Sequence, residues 1–321
     1  MKTVLRMVSF GLLALSLVAG SAGADYPTKP IKLIIPFPAG SATDTVGRIL
    51  AQSVSAAIGQ TVVVDNKPGA DGAIAGAEVA KAPPDGYTLF LATNSPMAVV
   101  PALRKSPPYN PVTDFTPITD IGRYTFFLYT HPSVPAKNFS ELIAYAKANP
   151  GKLAYATGNT TGIVSFAQMN ALAGTDMLHV PYKGEPAAIT DLIGGRVQLM
   201  FATPTTGLAH VKDGKLRALV TSLKKRSPVL PDVPTIAEAG LPKFSILSWA
   251  ALYGPAKMPK EVTARLNKEF LAAMKRPEVI AQTDKQAFLL SPSTPEELAV
   301  FTKEQMDDYL RILRAAGVQA E

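Results

Sequence analysis

Two stretches place glycine, hydroxyl and amide residues where a β-type run hands over to a helical one. The first is Phe37-Pro38-Ala39-Gly40-Ser41-Ala42-Thr43-Asp44. The second is Thr157-Gly158-Asn159-Thr160-Thr161-Gly162, entered from Leu153-Ala154-Tyr155-Ala156. Gly40 lets the chain turn without a Cβ clash, and Ser41 or Thr43 can cap the helix that follows. A helix N-terminus offers unpaired N–H groups and a partial positive charge, which together suit an anion. Taken singly, each loop is explained by capping alone. Two of them facing each other across a cleft would grip a carboxylate from both sides.

Magnitudes constrain how such a site could hold its ligand. A helix dipole contributes about 0.3–1 kcal/mol at an exposed site and up to ~2 kcal/mol when partly buried. Micromolar affinity needs about 8 kcal/mol. Charge-assisted hydrogen bonds, at roughly 1.5–3 kcal/mol each, must supply more, and closure over the ligand strengthens each by excluding water. Asp44, in the first helical turn, has two readings: an acid that complements the dipole and bonds its own loop, or a ligand contact.

Residues for catalysis or for holding a cofactor are sparse. The chain has three histidines, His131, His179 and His210, and no cysteine. His179 lies in a strand-like apolar run and reads as structural. No H-x-x-H or H-E-x-x-H pattern suggests zinc, and no phosphate loop is present. Gly69, Gly72 and Gly76 do not have dinucleotide-fingerprint spacing. Ser41 and Ser165 lack the nucleophile-elbow context of an exported hydrolase. No enzyme activity, metal or cofactor is expected.

The elements that must position the loops alternate. Ile31 to Phe37 is strand-like, and Thr43 to Ile58 is helical, with Val46, Ile49, Leu50, Val54 and Ile58 on one stripe and Gly59 as the stop. Thr61–Val64 and Tyr87–Thr93 are strands around a helix at Ala73–Ala82. The middle repeats the theme, with strands at Thr125–Tyr129, Leu153–Thr157, Met177–Pro181, Val197–Ala202 and Leu216–Thr221. Helices fall at Ile163–Leu172, at Ala187–Ile193 and from Phe139, where Asn138 and Glu141 form a capping box. After Pro259 the chain reads as helical. Thr294-Pro295-Glu296-Glu297 opens the last helix and Gly317 closes it. This alternation argues for α/β layers with mixed, mainly parallel sheets flanked by helices.

Residues 1–24 read as a signal peptide. Lys2 and Arg6 precede an apolar stretch from Val8 to Val18, and Ala22-Gly23-Ala24 is a cleavage site. No later stretch is apolar and long enough to span a membrane. The formal charge of +7 falls to +5 without Lys2 and Arg6, since 30 basic residues then stand against 25 acidic ones. This excess suits an anionic ligand. The densest basic run, Lys224-Lys225-Arg226, has no interleaved aromatics, so nucleic acid is not an expected partner. The mature length suits about two domains, and a monomer is expected.

With those segments in hand, the chain resembles the Bug-type receptors of tripartite tricarboxylate transporters over essentially the whole mature length. The resemblance runs from Pro30-Ile31-Lys32-Leu33-Ile34-Ile35-Pro36-Phe37 through Asp65-Asn66-Lys67-Pro68-Gly69 and Ala82-Pro83-Pro84-Asp85-Gly86-Tyr87. It is most specific at His179-Val180-Pro181-Tyr182-Lys183-Gly184 and Asp191-Leu192-Ile193-Gly194-Gly195, and ends on Leu230-Pro231-Asp232-Val233-Pro234-Thr235. It implies a periplasmic-binding-protein fold of two α/β domains, type II-like with two crossings. One domain would comprise residues 25–124 and 245–321, the other 125–244. It further implies a periplasmic receptor that carries a small organic acid to inner-membrane permease subunits; a sensor kinase is the alternative partner.

The ligand positions so implied are Phe37 as an apolar wall, residues 39–44 and 157–162 as the two loops, Thr93-Asn94-Ser95, and Ala202-Thr203. Departures from the family pattern fall at Met97 and Val164, where relatives often carry His, and at Ala202, where several carry Asp. A cleft less polar and less acidic at these places would disfavour an ammonium group. The expected ligand is a non-amino dicarboxylate with an apolar middle, or an aromatic carboxylate.

Overall fold

The computed structural model describes residues 26–315. The expected signal peptide and the Gly317 cap lie outside the described residues.

The first sheet begins with β1 (Ile31–Ile35), whose Ile31, Leu33, Ile34 and Ile35 are fully buried. A strand covered on both faces reads as a near-continuous apolar run. The helix α1 (Ala42–Ile58) returns across it on Val46, Leu50 and Val54. Its C-cap Gly59 has φ +68°, and the Gly59 N–H closes on the Ser55 carbonyl. β2 (Val62–Asn66), α2 (Ala73–Ala80), β3 (Thr88–Thr93), the short α3 (Val100–Leu103) and β4 (Phe115–Tyr124) follow.

Only residues 125–126 separate β4 from β5 (Phe127–Thr130), which starts a second sheet. Then come α4 (Phe139–Ala148), β6 (Ala154–Thr157), α5 (Thr160–Ala173), β7 (Leu178–Pro181), α6 (Glu185–Ile193), β8 (Leu199–Ala202), α7 (Pro204–Lys212) and β9 (Arg217–Thr221). A long connection leads back to the first sheet through β10 (Trp249–Pro255). The chain ends on α8 (Lys260–Met274), α9 (Pro277–Lys285), β11 (Phe288–Leu290) and α10 (Pro295–Ala315).

The six-stranded sheet has the order β11-β4-β10-β3-β1-β2, and the five-stranded sheet β7-β6-β8-β5-β9. Both are mixed, and the expected predominance of parallel pairing needs correction. β1 pairs parallel with β2 and β3, and β6 with β7 and β8, each through a helical crossover. β10 runs antiparallel to both β3 and β4, β11 to β4, and β5 to both β8 and β9. Parallel neighbours require a crossover on one face. A chain that enters from the other sheet is free of that constraint, and β5 and β10 are the strands on which it enters.

One apolar cluster contains Val46 and Leu50 under α1 as well as Phe139 and Leu142 under α4, with Phe126 and Leu128 at the crossing in the same cluster. The two layered units therefore share packed surface where the chain passes between them.

Candidate functional site

The first loop is built around its own acid. Ser41 is the N-cap of α1, and its Oγ accepts from the Asp44 N–H at 3.3 Å. Asp44 Oδ2 accepts from the Gly40 N–H at 2.9 Å, Arg48 Nε donates to both carboxylate oxygens at 3.0 Å, and Asn66 Nδ2 donates to Oδ1 at 3.0 Å. Burial pushes this carboxyl up, but the Arg48 guanidinium, the Gly40 N–H and the Asn66 amide outweigh it and hold Asp44 below its ordinary value. All of these partners belong to the loop and its neighbours, so the carboxylate braces the loop. The N–H groups of Ala42 and Thr43 have no acceptor among the described residues.

The second loop uses Asn159 as its cap. Asn159 Oδ1 accepts from the Gly162 N–H at 3.0 Å, and α5 starts at Thr160, three residues before the sequence pattern places it. The N–H groups of Thr160 and Thr161 likewise have no acceptor among the described residues. Gly158 is required by space: a Cβ there would fall inside van der Waals contact of the Gly184 and Glu185 backbone.

Side chains join the two units directly. Asn94 Nδ2 donates to Thr161 Oγ1 at 2.7 Å, and the Thr160 hydroxyl donates to Ser95 Oγ at 2.6 Å. Asn94 is fixed in turn by the Ser248 hydroxyl, which donates to its Oδ1 at 3.2 Å. The Tyr124 hydroxyl donates to Thr43 Oγ1 at 3.0 Å.

Sequence reasoning missed Glu185. It opens α6 directly behind Gly184, and only 5 % of it is exposed. Its Oε2 accepts from the Thr203 N–H (3.1 Å), the Thr203 hydroxyl (2.7 Å) and the Thr206 hydroxyl (2.9 Å), and its Oε1 accepts from Asn159 Nδ2 (3.1 Å). The carboxylate thus ties together the first turns of α5, α6 and α7. Burial raises its pKa above the ordinary carboxylate value, and the four hydrogen bonds oppose this without cancelling it. In the sequence Glu185 looks like any first-turn acid; its partners come from two other segments, the starts of α5 and α7.

Between the loops lies a narrow cavity of about 30 Å³, room for about two water molecules. It is lined by Phe37, Ser41, Ala42 and Thr43 from the first loop, by Gly158, Asn159 and Thr161 from the second, and by Thr93, Asn94, Ser95 and Thr203. Tyr124, Glu185 and Ser248 complete it with the apolar Phe126 and Pro38, and no Lys, Arg or His lines it. Phe37, Pro38, Gly158 and Asn159 also border an outer chamber of about 720 Å³. Its walls carry Pro36, Pro68, Ile74, Ile163 and Pro181, and Lys183 and Asp71 are its charged residues.

Other expected positions are placed differently. Ala39 and Gly40 are exposed at the rim, and Thr157 borders the outer chamber. Asp44, Thr160 and Gly162 stand behind the lining. Ala202 is fully buried in an apolar cluster with Phe127 and Tyr129. Met97 packs with Phe90 and Trp249, and Val164 with Val99 and Tyr309. The reading of the cleft as less acidic rested on these three departures. None of them lines the cavity, and Glu185, which does, is an acid.

The histidines stay out of both chambers. His179 Nε2 pairs with Thr157 Oγ1 at 2.7 Å and stacks on Tyr155, and burial lowers its pKa.

The family described as TctC, tripartite tricarboxylate transporter family receptor, matches residues 46–318. The chain belongs to this family. Protein BugT of Bordetella pertussis is 34% identical over 309 residues, 94% of each chain. Rpa4515 of Rhodopseudomonas palustris, solved with adipate, is 31% identical with a TM-score of 0.88, covering 92% of this chain and all of the other. MatC of the same organism, solved with malate, is 29% identical with a TM-score of 0.84, covering 90% and 100%. TctC receptors are periplasmic solute-binding proteins rather than enzymes. No helix among the described residues of this TctC receptor is long and apolar enough to cross a membrane.

Proposed function

We propose that this receptor captures a dicarboxylate with an apolar middle, or an aromatic carboxylate, in the periplasm and delivers it to the permease subunits of a tripartite transporter. The observation that carries the reading is the opposition of two helix N-termini. Ala42 and Thr43 on one side and Thr161 on the other bring three unpartnered N–H groups to a narrow space with no side-chain cation. That arrangement suits one carboxylate held by backbone donors. The proline-rich outer chamber suits an apolar body, and Lys183 at its edge suits a second carboxylate. Adipate and malate, bound by the two structural relatives, belong to the dicarboxylate class.

The inner cavity is too small for such a ligand as it stands, so the two sheets must separate for entry. We take residues 25–124 with 245–321 as one moving body and 125–244 as the other, following the signal peptide at 1–24. A thermal-shift screen of mono-, di- and tricarboxylates and aromatic acids tests the reading. A bound acid at a hundredfold excess over its Kd should stabilise the protein by about 2.7 kcal/mol. No shift with any of them would sink it.

A further inference from the structure

α5 is buried on two sides. Phe166 stacks on Tyr155 and packs edge-on against Phe201, so this side covers the sheet of its own unit. Val164 lies near the opposite side, about 200° round the helix from Phe166. It is fully buried in a different apolar cluster with Val99, Tyr309 and Leu313. Val99 follows β3 and the other two belong to α10, so all three come from the unit of the first sheet. A helix that is apolar all round is buried all round, and here the other unit supplies the second cover.

The covered side is continuous. Thr160, Val164 and Gln168 follow at four-residue spacing, which places them on one face, and Thr161 flanks them. At the cavity end Thr160 and Thr161 bond Ser95 and Asn94. At the far end Gln168 Nε2 donates to Ser245 Oγ at 3.1 Å, and Gln168 Oε1 accepts from the Ser245 N–H at 3.0 Å. Val164 and Gln168 line neither chamber.

We infer, on the two-body reading above, that this face of α5 is the surface on which the two units close, and that Val164 and Gln168 are positioning residues that hold the second loop against the first from outside the cavity. Separating the units would expose the apolar contacts of Val164 to water and release both hydrogen bonds of Gln168. Contact between the units therefore favours the closed form in addition to what a ligand supplies. Affinity for a ligand then scales with how far the closed form is populated beforehand.

The test is a distance measurement on the ligand-free mature receptor. The chain crosses between the sheets at β4 and β5 and again between β9 and β10, so β2 and β7 are the sheet edges farthest from the crossings. Val63 on β2 and Leu178 on β7 are exposed, and the chain has no cysteine. Val63→Cys with Leu178→Cys therefore takes one pair of spin labels, and pulsed electron–electron resonance reads their separation. The short separation should dominate in the labelled receptor. Val164→Ala should lower the ratio of short to long separations about tenfold, and Gln168→Ala about twofold to fivefold. Phe166→Leu, which loosens the other side of α5, should lower the melting temperature and leave the separations unchanged. Long separations dominating in the labelled receptor, or a ratio that Val164→Ala and Gln168→Ala leave unchanged while the melting temperature falls, would overturn the inference and leave the two moving bodies intact. One short separation in the receptor and in every variant would instead remove the two-body reading, and the inference with it. Gln168 lies at the surface, so its variant decides the matter even where Val164→Ala fails to fold.

Discussion

Asp44 and Glu185 both sit in the first turn of a helix whose N-terminus faces the cleft, yet their surroundings differ. Asp44 lies behind the lining of the first wall with Arg48 as a cationic partner, and its carboxyl is held below the ordinary value. Glu185 lies inside the second wall with no cation among its partners, only hydroxyls, an amide and one N–H, and its carboxyl is pushed up by burial. The difference separates two uses of an acid at a helix start. Asp44 is saturated by its own loop and fixes the shape of that loop. Glu185 ties together three helix ends.

The largest expected effect comes from the glycines of the two loops. Gly158→Val should cost about 2–3 kcal/mol in chemical denaturation, because its side chain would overlap the Glu185 backbone, and should abolish the ligand-induced thermal shift. Gly40→Ala meets no atom within 4 Å and is disfavoured only by φ +79°, worth about 1–2 kcal/mol. Gly162 is intermediate, with Thr157 Cγ2 at 3.3 Å. Equal costs at Gly158 and Gly40 would erase the contrast between a wall packed on its neighbour and a rim open to solvent.

Next comes Asp44→Ala, which removes the acceptor of the Gly40 N–H and leaves the Asn66 amide only the Phe37 carbonyl; it should cost about 1–2 kcal/mol near neutral pH, with Arg48, half exposed, adding little. The folded-state pKa of Asp44 is depressed. The stabilisation is therefore fully present above the ordinary carboxylate range and disappears as pH falls through the depressed value. Denaturation curves of wild type and Asp44→Asn should converge on acidification.

Glu185 reverses that sign. With a raised pKa the folded state holds its proton longer than the unfolded chain, so the contribution of Glu185 to stability declines as pH rises from the ordinary carboxylate value through the raised one. Glu185→Gln should flatten that part of the stability–pH profile. A profile for Glu185 that parallels that of Asp44 would mean that the hydrogen bonds outweigh burial in both walls.

The smallest effect is expected at the contact between the walls. Thr161→Val removes the acceptor of the Asn94 amide and should weaken ligand binding by roughly fivefold, the worth of about 1 kcal/mol, with little change in the melting point of the ligand-free protein.

Much of the framework was legible because its signals are local. α1 begins at the expected serine cap and stops at Gly59. In α10 the Thr294 N–H donates to Glu297 at 2.8 Å and the Glu297 N–H to Thr294 Oγ1 at 3.2 Å, as the capping box requires. Other elements carried no readable period. β10 is buried along its full length, with two alanines, a glycine and a proline among its seven residues, and β4 contains Pro117, Asp120, Gly122 and Arg123. α7, opened by a proline, was also missed, and β11 lies in a stretch that the pattern reads as helical.

By itself, then, the sequence determined the strand–loop–helix units, their caps and the family pattern, since each depends on residues within a few positions of one another. Tertiary structure decided which of those residues meet. It sent Met97, Val164 and Ala202 into packed cores, because their apolar side chains are better buried against Phe and Tyr rings than left at a polar cleft. It gathered Asn159, Thr203 and Thr206 around Glu185, because a carboxylate taken out of water must find its donors wherever the fold brings them. The two loops thus acquired a neighbour that no local spacing encodes, a buried acid that joins three helix ends.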